Sequence, residues 1–363
     1  MPASRGVELI ERRCGIKKAV AVVPNRHKEE KQMKTVIQFV IVMFCLFTGT
    51  TPLLAQWVQA NSPKGFQIQC LAQSGTNLFA GDYQDGVFLS TDNGRSWTGV
   101  DSGLTNRNVR TLVVMGANLF AGTRGGVFIS TNNGTSWRES NSGLTDTCVS
   151  VLTVSGTDLF AGTQYGGGIF LSTDNGASWK SVNSGLLKTA YDTSLYISVW
   201  AFTVSGANFF AGTDNGVYLS TDNGTSWSGV SSGLLPTGIY HYSTVRSFAA
   251  VGTVLFAETS GGSVYKSTNN GTTWAAADSG LTNSIVQSLV ASGKNIFAGT
   301  YGDGVYLSTD DGTSWTAAST GFPSLTVQIL AVSGTDLFAG TLTNAIWRRP
   351  LSEMVTGGAK QLR

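Results

Sequence analysis

This sequence predicts an all-β fold, a seven-bladed β-propeller of four-stranded antiparallel blades, and three observations predict it. The phrase STDNGRSW at 90–97 returns in close copies at 130–137, 172–179, 220–227, 267–274 and 308–315. A second phrase, LFAG or a near relative, begins at Leu78, Leu119, Leu159, Phe209, Leu255, Ile296 and Leu337. Around them run short alternating strands parted by Gly, Asn and Asp turns, and helical periodicity is absent from the repeats. Self-similarity of this kind means that each unit buries its apolar face only against its neighbours, and strands this short and even read as propeller blades.

Composition agrees with a turn-dense β protein. Charged residues are 13% of the 363, against 45 glycines and 41% apolar residues, which is too apolar for a disordered chain. The formal charge of +2 is misleading, because nine of the 24 basic residues precede Gln56. From Gln56 onward 15 Lys and Arg face 18 Asp and Glu, a weakly acidic balance that argues against nucleic acid as a partner.

Taken in order, residues 1–32 are polar and patternless and read as an upstream mis-start, with translation beginning at Met33. Residues 33–55 carry a charged start, an apolar run at 36–47 and a small-residue end at Ala55. These are the three regions of a secretory signal peptide cleaved near Ala55, and the run is too short for a transmembrane helix. The expectation is therefore a secreted, cell-surface or periplasmic protein with no transmembrane span in the mature chain.

The second repeat illustrates the blades. Strands are expected at 109–115, 119–123, 127–131 and 137–141, with turns at 116–118, 124–126 and 132–134. The first three strands recur seven times, the last set at 326–348. The Trp-bearing fourth strand recurs seven times only when 57–60 is included. That N-terminal strand should complete the C-terminal blade and close the ring, which removes the exposed edges. Residues 56–349 form one domain on this reading, and 350–363 form a structureless tail.

Within the repeated box, Asp92, Asn132, Asp174, Asp222, Asn269 and Asp310 can accept hydrogen bonds from their own loop. The following glycine, Gly94 in the first copy, supplies a positive φ. Trp97, Trp137, Trp179, Trp227, Trp274 and Trp315 bury large rings between sheets. Asn at two of the six positions keeps the acceptor and loses the charge, which fits a structural cap and not a catalytic acid.

The pattern S-x-D-x-G-x-[ST]-W is similar to the Asp-box, or BNR, repeat of sialidase-like propellers of the exported bacterial type. The copies cover essentially everything after the signal peptide. The resemblance implies a propeller with the box on its outer rim, away from any active site. Sialidases, xyloglucan-degrading hydrolases, sortilin-type receptors and photosystem II assembly factors all carry the box, so a fold is implied and no single activity.

Function should lie on the opposite face, where the loops leaving the fourth strand meet those joining the second strand to the third. The first set swells at 184–198 and 232–244, bringing Lys188, Tyr191, Asp192, Tyr196, Tyr240, His241 and Tyr242 side by side. Insertions in a repeat map to loops on the binding face, and tyrosines suit a sugar ring or a peptide. The second set adds Asp82, Tyr83, Asp85, Arg124, Tyr165, Asp214, Glu258, Tyr301 and Asp303. Near the channel mouth, one level of the innermost strands carries Gln69, Arg110, Ser150, Trp200, Arg246, Gln287 and Gln328. The ligand-binding candidates are Tyr191, Asp192, Tyr196, Trp200, Tyr240, His241 and Tyr242 with Arg110 and Arg246.

Catalysis is weakly supported. Glu139, Glu258 and Glu353 are the only glutamates after Gln56, the arginine triad and Tyr–Glu pair that a sialidase requires have no marked counterparts, and no spacing marks a carboxylate pair. The cysteines and histidines lack metal-ligand spacing, so no metal or cofactor is expected. The sequence reads as an exported, monomeric, non-catalytic propeller binding a polysaccharide, glycan or extracellular protein. The alternatives are a sialidase- or xyloglucanase-like glycoside hydrolase and a scaffold like the photosystem II assembly factors.

Overall fold

The computed structural model describes residues 56–60, 67–189, 192–235, 243–281, 284–322, 326–342 and 345–355. Its strands form seven four-stranded antiparallel sheets. Six are meanders of consecutive strands: blade 1 spans 68–99, blade 2 109–139, blade 3 149–181, blade 4 199–229, blade 5 245–276 and blade 6 285–317. Blade 7 takes Val327–Ser333, Asp336–Thr341 and Ile346–Pro350, and its outer strand is Val58–Ala60, with Val58 opposite Arg348. The innermost strands touch one another in order around the ring, and that of blade 1 touches that of blade 7. The fold is the seven-bladed propeller that the repeats predict.

The core consists of seven apolar clusters, one in each gap between adjacent blades. The LFAG strand explains this arrangement. Its Phe, as in Phe79, Phe120 and Phe297, is wholly buried in the gap. Its Gly lets the next blade approach, since a Cβ on Gly81 would lie 2.6 Å from Cγ1 of Val109. The box tryptophans fasten the same gaps from the outside. Their indole N–H groups donate to a carbonyl of the preceding blade, Trp137 to Val100 at 2.7 Å and Trp274 to Val230 at 2.8 Å. Trp57 makes the equivalent bond to Ala318 at 3.1 Å. Trp97 packs with Ala60 at the seam, and its Nε1 has no partner among the described residues.

Each box turn is closed by its own side chains. The Ser90 hydroxyl donates to Asp92 at 2.8 Å, and the Ser96 amide and hydroxyl donate to the same carboxylate at 2.8 and 2.6 Å. These bonds hold the Asp92, Asp174 and Asp222 carboxyls down at about 2. Asn93 and its equivalents through Asp311 share a φ of 53–59°, the left-handed conformation that short polar side chains tolerate. Where Asn132 replaces Asp, its amide donates to the Ser136 hydroxyl at 2.9 Å, so the same turn closes with one donor reversed.

Two sequence expectations change. The fourth strand of blade 2 is only Arg138–Glu139, shorter than 137–141, and both residues are exposed. Brevity on an outer strand limits edge-to-edge pairing. The tail is not structureless throughout, because Leu351–Val355 forms a short helix. Its Met354 is buried in the cluster between blades 6 and 7, and Leu351 packs beside it. Those two apolar residues supply the anchorage.

Candidate functional site

Every innermost strand breaks register at the same place. The shifts fall between Ile68 and Cys70, Val109 and Thr111, Val149 and Val151, Val199 and Ala201, Val245 and Ser247, Val286 and Ser288, and Val327 and Ile329. The residue left over in each is Gln69, Arg110, Ser150, Trp200, Arg246, Gln287 or Gln328. The polar series that the sequence singled out is thus a ring of seven β-bulges. A bulge frees one residue from the ladder and re-aims its side chain, a device found at barrel rims and beside sites.

The ring is not uniform. Ser150 spends its hydroxyl on the carbonyls of Gly162 and Val199, tying blade 3 to blade 4. Arg110 donates from Nε to Asn108 at 3.3 Å. Trp200 donates its indole N–H to Asp214 at 2.7 Å, and the exposed Arg246 guanidinium lies over the Trp200 ring at 5.5 Å. Gln328 buries an Oε1 that has no hydrogen-bond partner.

Two carboxylates expected on loops lie in strands instead. Asp82 ends Asn77–Asp82, where the other blades carry Thr or its like, and Glu258 lies within Val254–Thr259. The second strand runs one residue past the LFAG phrase, so Asp82 is its last residue, while Glu258 is the fourth residue of the phrase itself. Asp82 accepts amides from Gln84 and Asp85 at 2.7 and 2.8 Å through one oxygen, and its other oxygen is buried and unpartnered. Burial raises its pKa above the usual carboxylate range. Glu258 is 3% exposed, its Oε2 is unpartnered, and burial pushes its pKa up to about 8, with Arg246 opposing the shift.

The swollen loop at 184–198 is described except for two residues. Asp192 is exposed and spent on its own turn, accepting the Ser194 amide at 2.8 Å and hydroxyl at 2.6 Å, which lowers its pKa. Tyr196 is half-buried, with the Lys188 ammonium 5.2 Å from its ring centre. Tyr191, Tyr240, His241 and Tyr242 lie outside the described residues. Sequence reasoning missed a different feature of this face. Of the nine large hydrophobic residues that are exposed among the described residues, seven sit on loop-face segments: Tyr165, Leu187, Leu195, Leu235, Ile285, Tyr301 and Leu342. Among the described residues no cluster of His, Cys, Asp or Glu could hold a metal, and no helix is long and apolar enough to cross a membrane.

Fold and geometry together define a β-propeller domain. The family described as DUF6242 beta propeller domain matches residues 75–195 and 248–348, and the chain belongs to that family. No curated protein matches it. Among solved structures it is similar to the extracellular domain of a one-component system from B. thetaiotaomicron. That match has 16% identity and a TM-score of 0.64, and covers 81% of this chain and 40% of that one. The GH74 xyloglucanase from Xanthomonas campestris has 17% identity and a TM-score of 0.60, over 82% of this chain and 54% of that one. YCF48 from Cyanidioschyzon merolae has 14% identity and a TM-score of 0.60, over 82% of this chain and 99% of that one. YCF48 is also solved bound to D1 peptide. The chain spans about two fifths of the sensor domain and about half of the xyloglucanase. At these identities the likeness is one of fold.

Proposed function

We propose that this propeller is exported through the signal-like segment at 33–55 and acts without catalysis, binding a polysaccharide or an extracellular protein through its loop face. The observation that carries this reading is the concentration of exposed large apolar side chains on that one face. Scattered single exposures are ordinary, whereas a face that gathers them marks an interaction surface. The non-catalytic part is supported by how three acids of the face are spent. Asp214 holds Trp200, Asp303 accepts the Ser284 hydroxyl at 2.6 Å, and Asp192 caps its own turn. The Asp-box-like turns belong to the opposite face and serve the fold.

The test is binding of the purified protein to a glycan array and to an array of extracellular peptides, beside a variant carrying Tyr165→Ser, Leu195→Ser and Tyr301→Ser. Binding that the variant loses at unchanged melting temperature is the expected result. Binding that survives the substitutions would remove the loop-face assignment. Hydrolysis of a bound glycan would replace this reading with the glycoside hydrolase.

A further inference from the structure

Blade 5 breaks the repeat at one place that no turn or loop explains. Six blades carry Gly at the end of the LFAG phrase, and blade 5 carries Glu258. In the sister blades a side chain there meets its surroundings at once, as a Cβ on Gly299 would lie 2.7 Å from Cγ1 of Val327. Glu258 nevertheless occupies the position, pairs across the strand with Ser247, and lies 3% exposed with Oε2 unpartnered. A buried carboxyl oxygen left without a partner is costly, and natural structures keep few of them without a use.

The residue beside Ser247 is the bulged Arg246, the charged group that acts on Glu258. The two do not close into an ion pair, because the guanidinium is held over Trp200 and Trp200 is held by Asp214. A group that hydrogen-bonds to both the acid and the guanidinium would satisfy the two together. An apolar group would leave both unpaired. A cation would be set against Arg246. Adjacent hydroxyls both donate and accept, and so satisfy a carboxyl and a guanidinium together. The neutral amides of Gln69, Gln287 and Gln328 continue the same donor-and-acceptor character around the mouth.

We infer that Glu258, Arg246 and Trp200 form a subsite at the channel mouth for a neutral sugar, whose adjacent hydroxyls bridge the carboxyl and the guanidinium. This deepens the loop-face reading and rests on it. The burial that keeps a proton on the acid near neutrality gives Glu258 a hydroxyl to donate and an oxygen to accept with.

The test uses the full protein, titrated with cellotriose, xylotriose and mannotriose, with trigalacturonic acid as the anionic control, and read by calorimetry and by the Trp200 indole N–H resonance. Glu258→Gly is the decisive variant, since six blades fold with Gly there, and Glu258→Gln keeps the shape. A neutral trimer should bind and shift the Trp200 resonance. Glu258→Gly should weaken it by about tenfold or more and Glu258→Gln by less, as expected for loss of a buried hydrogen-bonded pair. Binding unchanged by Glu258→Gly, or a silent Trp200 resonance, would overturn the subsite and leave the loop-face reading standing. Preference for the acidic trimer would overturn the neutral-sugar assignment. No trimer binding beside positive peptide spots would also overturn the subsite alone, whereas blank glycan and peptide arrays would sink the loop-face reading as well.

Discussion

The two faces of the ring are cut from the same repeat and treat it in opposite ways. On the turn face, six boxes close with the same bond from serine to an Asp or Asn oxygen and the same left-handed position, and five of the six box indoles reach back to the preceding blade. On the loop face, the bulged position holds Gln, Arg, Ser or Trp, and the second-strand end holds Gly-Thr, Gly-Asp or Glu-Thr. A face that only has to hold the ring together can repeat one solution. A face under selection for contact with something else cannot, and its departures leave unpartnered polar atoms at Asp82, Glu258 and Gln328.

The contrast can be broken most sharply at the tryptophans. Trp227→Ala should cost about 3–5 kcal/mol in guanidinium unfolding, because a buried ring and its bond to Val182 are lost together. Tyr301→Ser on the other face should stay within about 0.5 kcal/mol. Equal costs would show that the loop face is structural too.

Glu258→Gly is expected to stabilise the protein at pH 8, by about 1–3 kcal/mol, since it removes a buried unpaired carboxyl. The pH dependence has a definite sign. The folded pKa is about 8, above the ordinary value of about 4.3, so the wild type is favoured below the unfolded value and loses stability as pH rises toward 8. Thermal melts of the pair between pH 4.5 and 8.5 should diverge by at most about 1.4 kcal/mol per pH unit. Parallel curves would mean that the acid is paired in solution.

Asp222→Ala should cost about 1 kcal/mol at pH 7, and Asp222→Asn a fraction of that, because Asn132 and Asn269 already close the same turn. The Asp222 contribution is present above the ordinary carboxylate range and fades as pH falls toward its folded value of about 2. The smallest effect belongs to Lys188→Ala, which removes the cation over Tyr196. Below about 1 kcal/mol is expected, measured by the same unfolding curves.

Much of the architecture was legible because it is written several times over. The blade count follows from phrases that recur, and the turn chemistry follows from Ser, Asp, Asn and Gly at fixed spacing. The site was legible only in part. The ring at the channel mouth was visible as a polar series, but the bulges were not, since a one-residue offset leaves no mark on the alternation of a single strand. Asp82 and Glu258 were assigned to loops although their equivalents in the second repeat, Thr123 and Gly122, fall within the strand expected at 119–123. The departure from the sister blades, Glu for Gly, was the available signal for Glu258. The helix at Leu351–Val355 is too short to show a period.

The strand that closes the ring also sets an order of events. Val58 finds its partner in Arg348, 290 residues away, so the first strand of the propeller to leave the ribosome is the last to be paired. Blade 1 can form from its own consecutive strands while synthesis continues, whereas blade 7 draws on both ends of the domain. The slow, entropically expensive step of folding is then a single joining of distant ends, and a chain interrupted before Ile346 would keep Val58–Ala60 without a mate.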